Sequence, residues 1–151
     1  MDPLSLNIDI ENHDASRPIL PKGEYPMVVV GSSIAPSKAT PGNNNWHVEL
    51  ATTEVHTTTK GTELQPGFKL STYIPLQASD KQIESGNKNA FKDRIALTVD
   101  AIFNTKQGSR PAFTQDLVTQ AVGQAVKGAL SIREAEGTFP ESNDLGRVLS
   151  A

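Results

Sequence analysis

Two stretches, Trp46-His47-Val48-Glu49-Leu50 and Phe68-Lys69-Leu70-Ser71-Thr72-Tyr73-Ile74, alternate apolar and polar residues, and this alternation constrains the fold more than any other feature. Successive side chains of a β-strand point to opposite faces, so each stretch can bury one face while the other meets solvent. Trp46, Val48 and Leu50 share one face, and Phe68, Leu70, Thr72 and Ile74 share another. These rows are the expected sheet core. His47, Glu49 and Ala51, with Lys69, Ser71 and Tyr73, then line the outer face.

The rest of the chain supplies the partners. Pro21-Lys22-Gly23-Glu24-Tyr25 reads as a turn feeding a first strand from Tyr25 to about Ile34, with Val28, Val29 and Val30 at its centre. Pro36, Pro41, Gly42 and three consecutive asparagines make residues 35–45 a polar loop. The second strand follows at about Asn45 to Thr53 and the third at Phe68 to Ile74, with Gln77 to Lys88 as a surface loop. Phe91, Ile95, Val99 and Ile102 fall on one side of a helix from about Ala90 to Asn104, with Asn89 as its N-cap. After Gly108 to Pro111, Thr114 opens a second helix whose apolar stripe, Leu117, Ala121, Val122, Ala125 and Val126, runs up to Gly128. Beyond Gly128 the period returns to two through Leu130 and Ile132. A turn at Gly137 and Pro140 leads to a last strand at about Asp144 to Leu149.

Residues 1–20, with the alternating Leu4-Ser5-Leu6-Asn7-Ile8-Asp9-Ile10, read as an N-terminal arm or edge strand, and residues 21–151 as one domain. Three strands, one or two helices and a closing hairpin, βββ-α-(α)-ββ, is the order of a five-stranded Greek-key barrel that binds oligonucleotides. The expected fold is therefore α+β, an oligonucleotide-binding (OB)-like β-barrel with one or two packed helices.

Composition narrows the function. The chain has no cysteine, which excludes disulfides, thiolate metal sites and a cysteine nucleophile, and fits a reducing cytoplasm. No basic leader or long apolar run appears, so no membrane partner is expected. A net charge of −3 argues against duplex binding driven by phosphate neutralisation. Single-strand binding remains open, because bases stacking on aromatic rings contribute about 1–3 kcal/mol each without a basic excess.

Catalytic and metal-binding patterns are missing. His13, His47 and His56 lack the spacing of a zinc site. Glu49 and Glu54 are five apart, on opposite faces of an extended strand, and do not form an acid–base pair. Lys60-Gly61-Thr62 lies between strands with no helix to hold a phosphate, and no serine sits in a nucleophile elbow. The expectation is a protein without catalysis, cofactor or metal.

Candidate binding residues are aromatic or basic. Tyr73 points with Lys69 and Ser71 away from the core, where its ring would stack a base beside an ammonium. Trp46 alternates with the core set, so core packing and base stacking compete for it. Lys38 and Lys60 occupy the two connections, and Arg133, Arg147 and the tip residue Phe139 belong to the last hairpin. A barrel would bring the first connection and this hairpin to one side of its groove.

Leu20-Pro21-Lys22-Gly23-Glu24-Tyr25, then Ile34-Ala35-Pro36-Ser37-Lys38, the asparagine loop and Trp46-His47-Val48-Glu49-Leu50 together resemble a group of small bacteriophage proteins long regarded as of unknown function. The likeness covers roughly residues 5 to 76 and continues loosely through Ala121-Val122-Gly123 and the closing hairpin. Members look like oligonucleotide-binding barrels, and their genes accompany phage replication and recombination functions. The resemblance implies a phage single-stranded DNA-binding protein acting in the host cytoplasm, with Lys38, Lys69 and Tyr73 nearest the groove. Its implied partners are single-stranded DNA and phage or host replication and recombination proteins, with homo-oligomerisation left open. The alternative is a structural or protein-interaction module, an assembly or docking protein that uses the same barrel through its valine-rich first strand and N-terminal arm.

Overall fold

The computed structural model describes residues 7–12, 17–138 and 140–151. Its main element is a five-stranded antiparallel sheet built from β1 (Gly23–Pro36), β2 (Asn44–Thr52), β5 (Lys69–Pro75), β6 (Ala125–Arg133) and β7 (Ser142–Ser150). Their order across the sheet is β5-β2-β1-β6-β7. Two short strands, β3 (His56–Thr57) and β4 (Glu63–Leu64), pair separately inside the connection between β2 and β5. Three helices, α1 (Asp80–Glu84), α2 (Phe91–Phe103) and α3 (Gln115–Gln120), separate β5 from β6.

β1 holds the sheet together by pairing on both sides with different halves of its length. Met27 to Pro36 pairs with β2, while Gly23 to Val28 pairs with β6. The register to β2 shifts between Val29 and Gly31, so Val30 is bulged out of the ladder. This places Met27 and Val29 on the inner face with Trp46, Val48 and Leu50, all fully buried. Ile74, Val99, Val118, Val126 and Leu20 complete the densest part of the core. Gly128 is buried opposite Tyr25 and Val148; a Cβ there would come within 2.5 Å of the Met27 sulfur, so the missing side chain makes room for Met27.

The sheet is not closed into a barrel. β5 and β7, its two edges, come into contact, yet no ladder joins them. Helix α2 packs against β5, β6 and β7 along this seam, and Arg94 Nη2 donates to Thr72 Oγ1 at 2.8 Å. Helix side chains thus bridge the edges where strand bonds would otherwise close the cylinder.

Other boundaries also differ from those expected. The second helix ends at Gln120, and Ala125 and Val126 belong to β6. Gly123 causes the break: it adopts φ +92°, its N–H donates to Val29 O at 2.7 Å, and Gln124 O accepts from Val29 N at 3.0 Å. The apolar residues at 121, 122, 125 and 126 fit a helical stripe equally well, and only the pairing with β1 distinguishes the two. Inside the expected loop at 77–88, Ser79 and Gln82 form a reciprocal capping box that starts α1. Asn89 does not cap α2; the cap is Ala90, without a side-chain bond. Leu4 to Leu6 lie outside the described residues, and Asn7 to Ile10 form no strand.

Polar groups fasten the loops to this frame. Buried Asn143 accepts from Leu20 N (2.8 Å) and donates to Leu20 O (2.9 Å) and Ser131 O (3.1 Å), tying the segment before β1 to the start of β7. After α2, Arg110 makes a bidentate pair with Asp100, Nε to Oδ1 at 2.9 Å and Nη2 to Oδ2 at 2.8 Å, while Thr105 Oγ1 donates to Oδ1. The Arg110 hydrogen bonds hold the Asp100 carboxyl below its ordinary value. A carboxyl depressed in the folded state stabilises it above the unfolded pKa of about 3.9, and that contribution vanishes as pH falls through the lower folded value. Urea unfolding of Asp100→Asn should therefore show a deficit against the parent at neutral pH, and the deficit should shrink as pH drops below about 3.9.

Candidate nucleic-acid interface

The antiparallel register of β2 and β5 sets the outer face of the sheet. His47 lies opposite Tyr73, Glu49 opposite Ser71, and Ala51 opposite Lys69. Opposed side chains on one face of such a pair stand close enough to touch. The rings of Tyr73 and His47 stack, with centroids 4.5 Å apart and planes 9° from parallel. Tyr73 remains 52% exposed, so the second face of its ring is available. His47 Nε2 is covered and has no hydrogen-bond partner among the described residues, so ring contact is the visible support for this imidazole.

Tyr73 is shared by two clefts. One, of about 680 Å³, is lined by Ala35, Pro36, Ser37, Lys38, Asn45 and Tyr73. The other, of about 510 Å³, lies between the Ser37–Asn43 loop and the start of α2 and includes Asn43, Gln77, Phe91 and Arg94. The loop between them is well anchored. Ser37 N donates to Asn43 O at 2.9 Å, Thr40 N to Ser37 Oγ at 3.2 Å, and Asn44 N to Gln77 Oε1 at 2.8 Å. Gly42, at φ +88°, provides the left-handed residue this tight turn needs.

The structure brings some of the expected site residues together and separates others. Lys38 and Tyr73 line one cleft, and Lys69 lies on the same outer face as Tyr73, two positions beyond Ser71. Between them stands the Glu49 carboxylate, beside Gly31, whose missing side chain leaves it room. Arg147, opposite Ala129, is exposed on β7, the other edge strand of the sheet, and lines neither of the clefts that share Tyr73. Lys60 sits in the turn between β3 and β4 and lines a different cleft of about 330 Å³ with Arg17, Glu63 and Glu141. Arg133 is 4.0 Å from Asp144 and lines a fourth cleft with Glu134 and Glu136, so its surroundings are acidic. Phe139 lies outside the described residues.

Trp46 is not available to a ligand. It is 0% exposed, its Nε1 donates to Ser32 Oγ at 2.9 Å, and its ring meets Phe113 edge-on at 5.1 Å. Core packing wins because the β1 partner Ser32 satisfies the indole N–H, which would otherwise make burial costly.

Two cations escaped the sequence reading. Arg94 belongs to the solvent side of α2, and only the packing of α2 against β5 brings it to the Tyr73 cleft. Lys127 faces outward between Pro26 and Leu149. Alternation from Ala125 would have revealed it had that segment been read as strand. Among the described residues no group of three His, Cys, Asp or Glu could hold a metal, and no helix is long and apolar enough to cross a membrane. No protein-family model matches the chain, and no curated protein matches its sequence.

The burial of the single tryptophan has a direct optical consequence. Trp46 emission should be blue-shifted, resistant to acrylamide, and unchanged on addition of an oligonucleotide that quenches tyrosine emission.

Proposed function

We propose that this chain is a non-catalytic single-stranded DNA-binding protein built on an opened oligonucleotide-binding barrel. The strand order supports this reading. Counting only the main sheet, third-second-first-fourth-fifth is the order of that barrel cut between its third and fifth strands, and such barrels are commonly partly open. In that family of folds the ligand lies over the second and third strands, between the first connection and the last hairpin. Here this is the outer face of β2 and β5, next to the Ser37–Asn43 loop.

The observation that carries the proposal is the exposed Tyr73 ring, backed by His47 and lying between clefts that hold Lys38 on one side and Arg94 on the other. A base stacks on the free face of Tyr73 while the two cations neutralise the flanking phosphates. Stacking is tolerant of sequence because every base has a π-face, so little sequence preference follows. Lys69 extends the track along β5, and Glu49 keeps the face from being uniformly positive. With so few cations the complex is salt-sensitive with a shallow slope. The resemblance to phage proteins supports work in phage replication or recombination, in the cytoplasm of the host, alongside the proteins that act on single strands.

Fluorescence anisotropy with a labelled oligothymidylate tests this. Tyr73→Ala should weaken binding by about 1–3 kcal/mol, roughly 5- to 150-fold. Lys38→Ala should reduce the slope of log K against log salt by about 0.7, the value for one single-strand phosphate contact. Absence of binding by the parent protein at low salt would remove the proposal.

A further inference from the structure

β1 is longer than the strands that pair with it. Gly23 to Val28 pairs with β6, and Met27 and Val28 pair with β2 as well, but Gly31 to Pro36 pair with β2 alone. Beyond Val29, whose backbone is taken by Gly123 and Gln124, the second edge of this half carries no strand among the described residues. In an antiparallel ladder alternate backbone N–H and C=O groups point away from the partner, so this edge presents unpaired groups to solvent. It also carries two large apolar side chains beside Ser32 and Ser33. Val30 and Ile34 are exposed here, and Val122 is exposed next to the Gly123 contact. A long open edge with exposed apolar side chains is a template for another strand.

The chain itself carries a segment with the matching pattern. Leu4, Leu6, Ile8 and Ile10 alternate with Ser5, Asn7 and Asp9 over seven residues, the same length as the open edge at 30–36. The described part of this segment forms no strand, and Ile8 and Ile10 are 74% and 72% exposed. Among the described residues, Asn7 to Ile10 are therefore not seated on the sheet. A strand-patterned segment with large exposed isoleucines gains both backbone bonds and apolar burial by joining an edge.

We infer that the occupant of this edge is the N-terminal arm, residues 4–10, of a second copy of the chain, so that two copies exchange arms. Seated there, Leu4, Leu6, Ile8 and Ile10 continue the row of Ile34 and Trp46, while Ser5, Asn7 and Asp9 continue the row of Gly31 and Ser33. The opposite register would turn the apolar row to solvent and Asp9 toward the core, so the pattern selects one face. Pro36, which has no N–H, marks the end of the usable edge.

Because the chain lacks cysteine, disulfide trapping reports the contact cleanly. Ile8→Cys and Ile34→Cys proteins, mixed under mild oxidation, should give a covalent dimer that neither protein forms alone to the same extent. Sedimentation of the unmodified protein should show a concentration-dependent dimer, and removal of residues 1–12 should return it to half that mass. The inference is overturned by a parent that stays monomeric, by a dimer that survives removal of the arm, or by a double variant Ile8→Cys/Ile34→Cys that closes within one chain.

Discussion

The double pairing of β1 is the constraint on which the rest of the molecule depends. One strand gives its second half to β2 and its first half to β6, so strands far apart in sequence become neighbours in one sheet. The shift between Val29 and Gly31 lies where the change of partner occurs, and extra twist at such a bulge suits a sheet that bends around its core. Met27, just before this point, fills the space left by Gly128 on β6. Trp46 of β2, opposite Ile34, fills the other end, its indole N–H satisfied by Ser32 of β1. Volume and hydrogen bonding at both ends of β1 are therefore settled by residues of β1 and its two partners.

The proposed interface follows from the same frame. Because β2 is held by β1 on one side, it can hold β5 on the other in a register that sets His47 against Tyr73. A lone exposed tyrosine is an ordinary surface feature. A tyrosine stacked on a second ring, between two clefts and close to cations from a loop and a helix, is a better-formed platform because its orientation is fixed before any ligand arrives. In the proposed complex the negative overall charge leaves attraction to phosphate a local matter for these few cations, with stacking as the main source of affinity.

Strands with one buried face were legible in the sequence, and elements defined by their neighbours were not. Trp46, Val48 and Leu50 announce an inner face by alternation alone, and the structure buries all three. The α2 stripe through Val99 and Ile102 was equally plain, since both are buried. The segment from Ala121 to Val126 failed because its apolar spacing suits both periods, and the choice was made by the backbone bonds from Val29 to Gly123 and Gln124. Trp46 as a stacking residue failed for a related reason: its N–H partner, Ser32, lies on another strand. Arg94 carried no signal, because a cation on the outer side of a helix looks like any solvated charge until the helix is docked.

The chain alone determined a cysteine-free α+β molecule, the inner rows of its strands and the outward position of Tyr73. These are local properties, fixed by side-chain period and composition. Tertiary structure decided that the sheet stays open between β5 and β7, that Lys38 and Arg94 line the two clefts sharing Tyr73 while Lys60 and Arg133 lie in other clefts, and that half of β1 has an edge with no strand on it among the described residues. Those outcomes depend on which elements pack together, and pairings between distant residues leave no period in the sequence from which to read them.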